Sequence, residues 1–170
     1  MAFVACRVKG SSGGSGGTRR WIFNDEFVNG YESVQVNQRS GTYYSTVYWG
    51  MDGRYDGKPY SYWAYKTAPL FGNTQYKYLK FHVAKCWAVQ GQSWVGIFDS
   101  NGNSLYTSRL CYSTSQSSSG FNDRWFTVDM SEFPLQTESL YFAFSGQCGY
   151  DSGQWWQIWI DKIYLTNEED

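Results

Sequence analysis

The chain alternates apolar and polar residues with a period of two over most of its length, and this pattern limits its fold more than any other feature. In YLKFHVA (78–84), Leu79, Phe81 and Val83 fall on one side and Lys80 and His82 on the other. Successive side chains of an extended strand point to opposite faces, so such a run makes a half-buried strand, whereas a helix would scatter its apolar residues around the axis. The rhythm returns in RWFTVDM (124–130). In LYFAFSG (140–146) it aligns Leu140, Phe142 and Phe144, and in WWQIWIDKIYLT (155–166) it aligns Trp156, Ile158 and Ile160. In SWVGIFDSNGNSLYTSR (93–109) two such runs meet at Asn101-Gly102, a pair that tolerates positive φ and suits a tight hairpin. No window shows helical periodicity. Short strands separated by Gly, Asn, Asp and Ser turns predict an all-β chain, an antiparallel jelly-roll β-sandwich over residues 21–170.

The 170 residues suffice for one domain of ordinary size, and their 42% apolar content can fill its core. A formal net charge of −1, with 14 Lys and Arg dispersed along the chain, gives no electrostatic footprint for nucleic acid or an anionic bilayer. No segment reaches the length of a membrane span, so insertion is not expected. The four cysteines, Cys6, Cys86, Cys111 and Cys148, lack metal-ligand spacing, which argues against zinc. They are expected as free, buried thiols of a chain made in a reducing cytoplasm, with disulfides as the alternative.

Ahead of this domain stand a strand-like leader over residues 1–9 and a Gly/Ser-rich linker over residues 10–20. In AFVACRV, Val4, Cys6 and Val8 share one face and Phe3 takes the other, while GSSGGSGG behind it has no side chain able to offset the entropy of its own ordering. The leader is too short in its apolar part for a secretory signal. It is expected to add by β-augmentation to a sheet edge of another protein, with Phe3, Val4, Cys6 and Val8 as the anchoring residues. The alternatives for GSSGGSGG are a laboratory linker or an ordinary loop.

Catalysis is not expected. His82 is the single histidine and sits between Phe81 and Val83 on a strand, where it reads as a surface or edge imidazole. Carboxylate pairs such as Asp123 with Asp129, or Asp52 with Asp56, read as turn formers. The spacing Asp99-x-Asn101-x-Asn103 departs from a calcium loop in the placement of Gly102 and reads as the hairpin turn.

The remaining chemistry is aromatic. Rings make up 21% of the chain, with 9 Trp and 15 Tyr. Sugar rings stack their C–H patches on flat aromatic faces while neighbouring polar groups fix the hydroxyls, so a glycan site needs exposed rings beside Asn, Gln, Asp or Arg. Two stretches offer that mixture in what read as loops: Trp49, Tyr55, Tyr60 and Trp63 in YWGMDGRYDGKPYSYWAY, and Tyr150 and Trp155 beside Gln154 in GQCGYDSGQWWQ. The same rings suit a sandwich core or a protein interface.

The order TAPLF, YLKFHVA, VGIFDSNGN, RWFTVDMSEF, LYFAFSG and IWIDKIYLT, across residues 67–166, resembles the galactose-binding-like and MAM-type jelly rolls that include carbohydrate-binding modules. That resemblance implies a non-catalytic, glycan-binding sandwich with no cofactor. Such modules often carry structural Ca²⁺, for which Asp52 and Asp56 in the Gly-rich loop are the candidate ligands. Residues 21–66 match no motif. The leader, its linker and the compact β-domain together resemble the anchoring ends of bacteriophage virion proteins such as head fibres, decoration proteins and tail-associated adhesins. This likeness implies a virion surface protein made in the host cytoplasm, partnered by other virion proteins, by host-surface glycans or by further copies of itself. The alternative is the carbohydrate-binding module of a cellular glycan-degrading enzyme or adhesin, secreted or held at a cell surface.

Overall fold

The computed structural model describes residues 19–26, 28, 33–36, 49–54, 61–67, 76–99, 101, 103–133, 140–148 and 153–169, of which 33–36, 49–54, 61–67, 141 and 145 are described by their backbone. Among them are ten strands and no helix: β1 (Arg20–Asn24), β2 (Ser33–Val36), β3 (Trp49–Arg54), β4 (Ser61–Thr67), β5 (Tyr78–Val89), β6 (Gly91–Phe98), β7 (Ser104–Ser113), β8 (Ser119–Asp129), β9 (Tyr141–Cys148) and β10 (Trp155–Thr166). They form two five-stranded antiparallel sheets. The front sheet runs β1-β10-β5-β8, and β3 also pairs with β10; the back sheet runs β2-β4-β9-β6-β7. Strand β10 shares one of its edges between two partners: β3 covers Trp155–Ile160 and β1 covers Lys162–Leu165.

The two sheets pack face to face because each has one apolar side. Leu79, Phe81, Val83, Leu140, Phe142, Phe144, Ile158 and Ile160, all aligned by the alternation, are at most 1% exposed in a single core. Phe81 of the front sheet meets Phe142 of the back sheet at 5.1 Å between ring centroids and stacks on Phe126 of β8 at 5.0 Å. The expected β6–β7 hairpin forms: the Asp99 N–H donates to the Asn103 carbonyl at 3.0 Å, and the Asp99 carboxylate accepts from the Asn103 N–H at 2.7 Å. Residues 21–66, in which no motif is visible, contribute four strands split between the sheets, so the sandwich extends well before residue 67.

Cys86 and Cys111 are free, buried thiols, and Cys148 is buried as well. Cys86 of the front sheet and Cys111 of the back sheet both contact the hydroxyl of Ser93, at 3.1 and 3.2 Å. The hydrogen bond with Cys111, reinforced by burial, pushes the Cys86 thiol well above its ordinary range. The fully buried Ser93 is the polar group around which these thiols gather.

Candidate functional site on the outer face of the front sheet

The outer face of the front sheet holds its polar and aromatic residues in rows fixed by register. One row runs Trp21 (β1), Tyr164 (β10), Lys80 (β5) and Thr127 (β8). The next runs Lys162, His82 and Trp125. Further along, Trp159 lies opposite Lys85, and Gln157 opposite Trp87.

A line of irregularities crosses the sheet between these rows and resets the alternation. The β10–β5 register shifts between Trp159 and Ile160 and again between Ile160 and Lys162, and β1 shifts between Trp21 and Phe23. Asp123 of β8 has φ of 50°. The core positions accordingly step from Val83 to Cys86 on β5 and from Ile160 to Ile163 on β10, and Ile22 and Phe23 are both buried on β1. An extra residue in one strand bends it and re-aims a side chain. Here it turns Asp161 outward toward His82, whose Nδ1 lies 2.6 Å from Asp161 Oδ1. An ionised carboxylate only accepts, so His82 Nδ1 carries the proton and, in the neutral ring, Nε2 is left as an acceptor. The same bulge receives the end of β1: the Asp25 N–H donates to the Asp161 carbonyl at 3.0 Å, and Lys162 Nζ pairs with Asp25 Oδ1 at 2.5 Å.

Beside this pair the rings form a cleft. Arg19, Lys80, Trp125, Thr127 and Tyr164 line a volume of about 430 Å³, within the usual range of small-ligand sites. Tyr164, 3% exposed, is the floor. Trp125 stands against it edge-on at 5.7 Å, Trp21 tilts onto it at 4.9 Å, and the Arg19 guanidinium lies 4.9 Å from its ring centroid. Trp125 also packs on the His82 ring at 5.0 Å, yet it stays 50% exposed, and with Tyr112 it is one of two large hydrophobic residues so exposed among the described residues. Beyond the bulge line the face continues with Lys85 4.8 Å from the Trp159 ring centroid and with the Trp87 indole N–H donating to Asn122 at 2.8 Å.

The residues expected to bind glycan fall differently. Trp49 and Trp63 lie within strands and not in loops, Trp63 opposite Gly146. Trp155 opens β10 and, with Trp156 in the core, takes the same outward side as Trp159. Tyr55, Tyr60 and Tyr150 lie outside the described residues, as do the anchoring residues Phe3, Val4, Cys6 and Val8. Asp52 lies on β3 opposite Gln157, and its partner in the calcium expectation, Asp56, is outside the described residues. Among the described residues no group of three or more His, Cys, Asp or Glu gathers as metal ligands. His82, read as a surface or edge imidazole, sits on an interior strand and is held by Asp161, because the bulge delivers a carboxylate that spacing along the chain does not reveal. Asp129 is engaged by the Ser131 N–H and hydroxyl at the end of β8, which leaves it a turn former as expected. The residues missed by sequence reasoning are Trp21, Lys80, Trp125 and Tyr164. The one available signal was Trp125, which occupies the polar parity of the alternating run RWFTVDM, where a large ring is out of place.

No family model matches the chain, and no curated protein matches it. Among solved structures it is similar to a mutant of a family 29 carbohydrate-binding module, with 16% identity over 88% of this chain and 92% of that one and a TM-score of 0.49. It is also similar to TmCBM61 in complex with β-1,4-galactotriose, with 12% identity over 91% and 90% of the two chains and a TM-score of 0.38. A third likeness is to the enzymatically active domain of bacteriophage CBA120 tailspike protein 4, with 11% identity over 81% of this chain and 19% of that one and a TM-score of 0.38.

Proposed function

We propose that the chain is a non-catalytic carbohydrate-binding module whose site is the cleft on the outer face of the front sheet. The observation that carries this reading is Trp125, half-exposed at the wall of a cleft floored by Tyr164 and beside the His82–Asp161 pair. A flat apolar face kept in water next to oriented donors and acceptors is what a sugar requires, since its C–H patches stack on the ring while its hydroxyls meet Lys80, Thr127 and the imidazole. A binding role is favoured over glycoside hydrolysis because that chemistry places two carboxyl groups across the bond, and none of the five residues lining the cleft carries one.

Trp125→Ala should leave melting temperature and circular dichroism near those of the parent, because the ring is half in water already. Oligosaccharide affinity should fall about ten- to a hundredfold in calorimetry, the loss expected from removing one buried aromatic contact. Unchanged binding in this variant, together with loss in Trp155→Ala, would move the site to the far end of β10. Binding of proteins and of no sugar would make the face a protein interface.

Display on a virus particle is a separate proposal, resting on the strand-like alternation of residues 2–8 and the Gly/Ser run behind it. Deletion of residues 1–9 should leave a folded sandwich that no longer incorporates into its particle. Normal incorporation of the truncated chain, measured by quantitative mass spectrometry of purified particles, would refute the anchor.

A further inference from the structure

We propose that Cys86 and Cys111 form a disulfide that fastens the front sheet to the back sheet once the chain leaves reducing surroundings. The two thiols come from opposite sheets, on β5 and β7, and meet on one hydroxyl: Ser93 Oγ lies 3.1 Å from Cys86 Sγ and 3.2 Å from Cys111 Sγ. The sulfurs therefore cannot be farther apart than the sum of those distances, and a hydrogen bond also joins the two thiols directly.

The connections of the chain hold the sheets close at this point. Between β5 and β6 the chain passes from the front sheet to the back over Gln90 alone, whose φ of 42° makes the corner. The Gln90 N–H donates at 3.2 Å to the carbonyl of Ser115, in the connection by which β7 returns to β8 of the front sheet. Cys86 precedes Gln90, and Cys111 precedes Ser115, by the same four residues, so both stand where bonded chain limits the gap between the sheets. Cα atoms of β5 and β7 approach within 8 Å, near the span of about 4.4–6.8 Å that a disulfide bridges, and rotation of two small side chains supplies the remainder.

The pair is also graded for the reaction. Cys111 is 6% exposed and Cys86 0%. The hydrogen bond from Cys86, backed by Ser93, holds the Cys111 thiol below its ordinary range, and the thiolate is the attacking form. With a small-molecule disulfide such as oxidised glutathione as the oxidant, the Cys111 thiolate attacks one of its sulfurs, the S–S bond of the oxidant breaks and one glutathione thiolate leaves. That step removes the hydrogen bond to Cys111 that held the Cys86 proton in place. Cys86 then yields its proton to the departed thiolate, its sulfur attacks that of Cys111, and the second glutathione leaves. Two protein thiols are oxidised to one disulfide, and one glutathione disulfide is reduced to two thiols.

The full chain, reduced and then exposed to oxidised glutathione under native conditions, should lose two titratable thiols, and peptide mapping without reductant should find Cys86 linked to Cys111. Its melting temperature should rise by about 5–15 °C, because the link constrains the unfolded chain, and dithiothreitol should reverse the rise. Cys86→Ala and Cys111→Ala should each abolish the link, whereas Cys6→Ser and Cys148→Ser should keep it. The map of the unaltered chain decides the matter where a variant does not fold. Pairing of Cys6 or Cys148 with either residue, thiols that stay free under the oxidant, or a Cys86–Cys111 link that forms only in denaturant would each overturn the proposal.

Discussion

Phe142→Ala should lower stability by about 3–5 kcal/mol, the range for deleting a buried phenyl from a core that cannot collapse around the gap. Phe142 is 0% exposed and lies near the start of β9, the central strand of the back sheet, with its ring against Phe81 of the front sheet. Phe81 in turn stacks on Phe126, so the lost ring supports a column of aromatics that joins both sheets. Strand β6 pairs with β9 at Phe142 itself and β4 pairs with it from Ala143 onward, which keeps the sheets from closing onto the cavity. For a chain of this length the loss corresponds to a fall in melting temperature of roughly 6–20 °C, readable by scanning calorimetry. Phe142→Leu should recover much of it, because it restores most of the volume. A melting temperature within a degree or two of the parent would show that Phe142 is not part of the core.

Gly146→Ala should be comparably severe through the opposite mechanism. Gly146 sits on β9 with the indole of Trp156 laid directly over it, so a Cβ added there would fall inside the ring. Trp156 is 0% exposed on β10 of the opposing front sheet and has nowhere to rotate. Relief therefore requires the two sheets to move apart, at a cost of about 3 kcal/mol or more, the upper end for overpacked cores. Trp156→Leu alone is destabilising because it leaves a void. The double variant, Gly146→Ala with Trp156→Leu, should be more stable than the sum of the single effects predicts, and denaturant unfolding of all four proteins gives that coupling directly. Additivity would mean that the two residues do not share a contact.

Both effects depend on pairings that local sequence foreshadows unequally. The inward row of β9 is plain in LYFAFSG, because period-two alternation is a property of the extended chain itself and needs no partner to be seen. The need for glycine at 146 is invisible there, since the ring that demands it is ten residues later on another sheet. Residues 21–66 show the same division: their strands carry little alternation, and β1 and β3 owe their positions to the two halves of one edge of β10.

The cleft on the front sheet divides in the same way. Sequence reasoning sought exposed rings in Gly-rich loops, where exposure can be guessed, and so favoured Trp49, Trp63 and Trp155, which lie in strands. Trp125 and Tyr164 lie on strands as well, and a ring on a strand is core or surface according to parity. Parity in the front sheet is reset halfway by the bulges near Ala84, Asp123 and Asp161. By itself the sequence determined that this chain is an antiparallel β-sandwich, that the inward rows around Leu79, Phe81, Val83, Leu140, Phe142, Phe144, Ile158 and Ile160 belong to its interior, and where β6 turns into β7, because each follows from alternation or turn chemistry within a few neighbouring residues. Only the tertiary structure decided which strands lie side by side, and hence that Arg19, Lys80, Trp125 and Tyr164, from a segment preceding β1 and three separate strands, share one cleft with His82 and Asp161 beside it. Register across non-consecutive strands is set by long-range pairing, and the local pattern of one strand carries no record of its neighbour's.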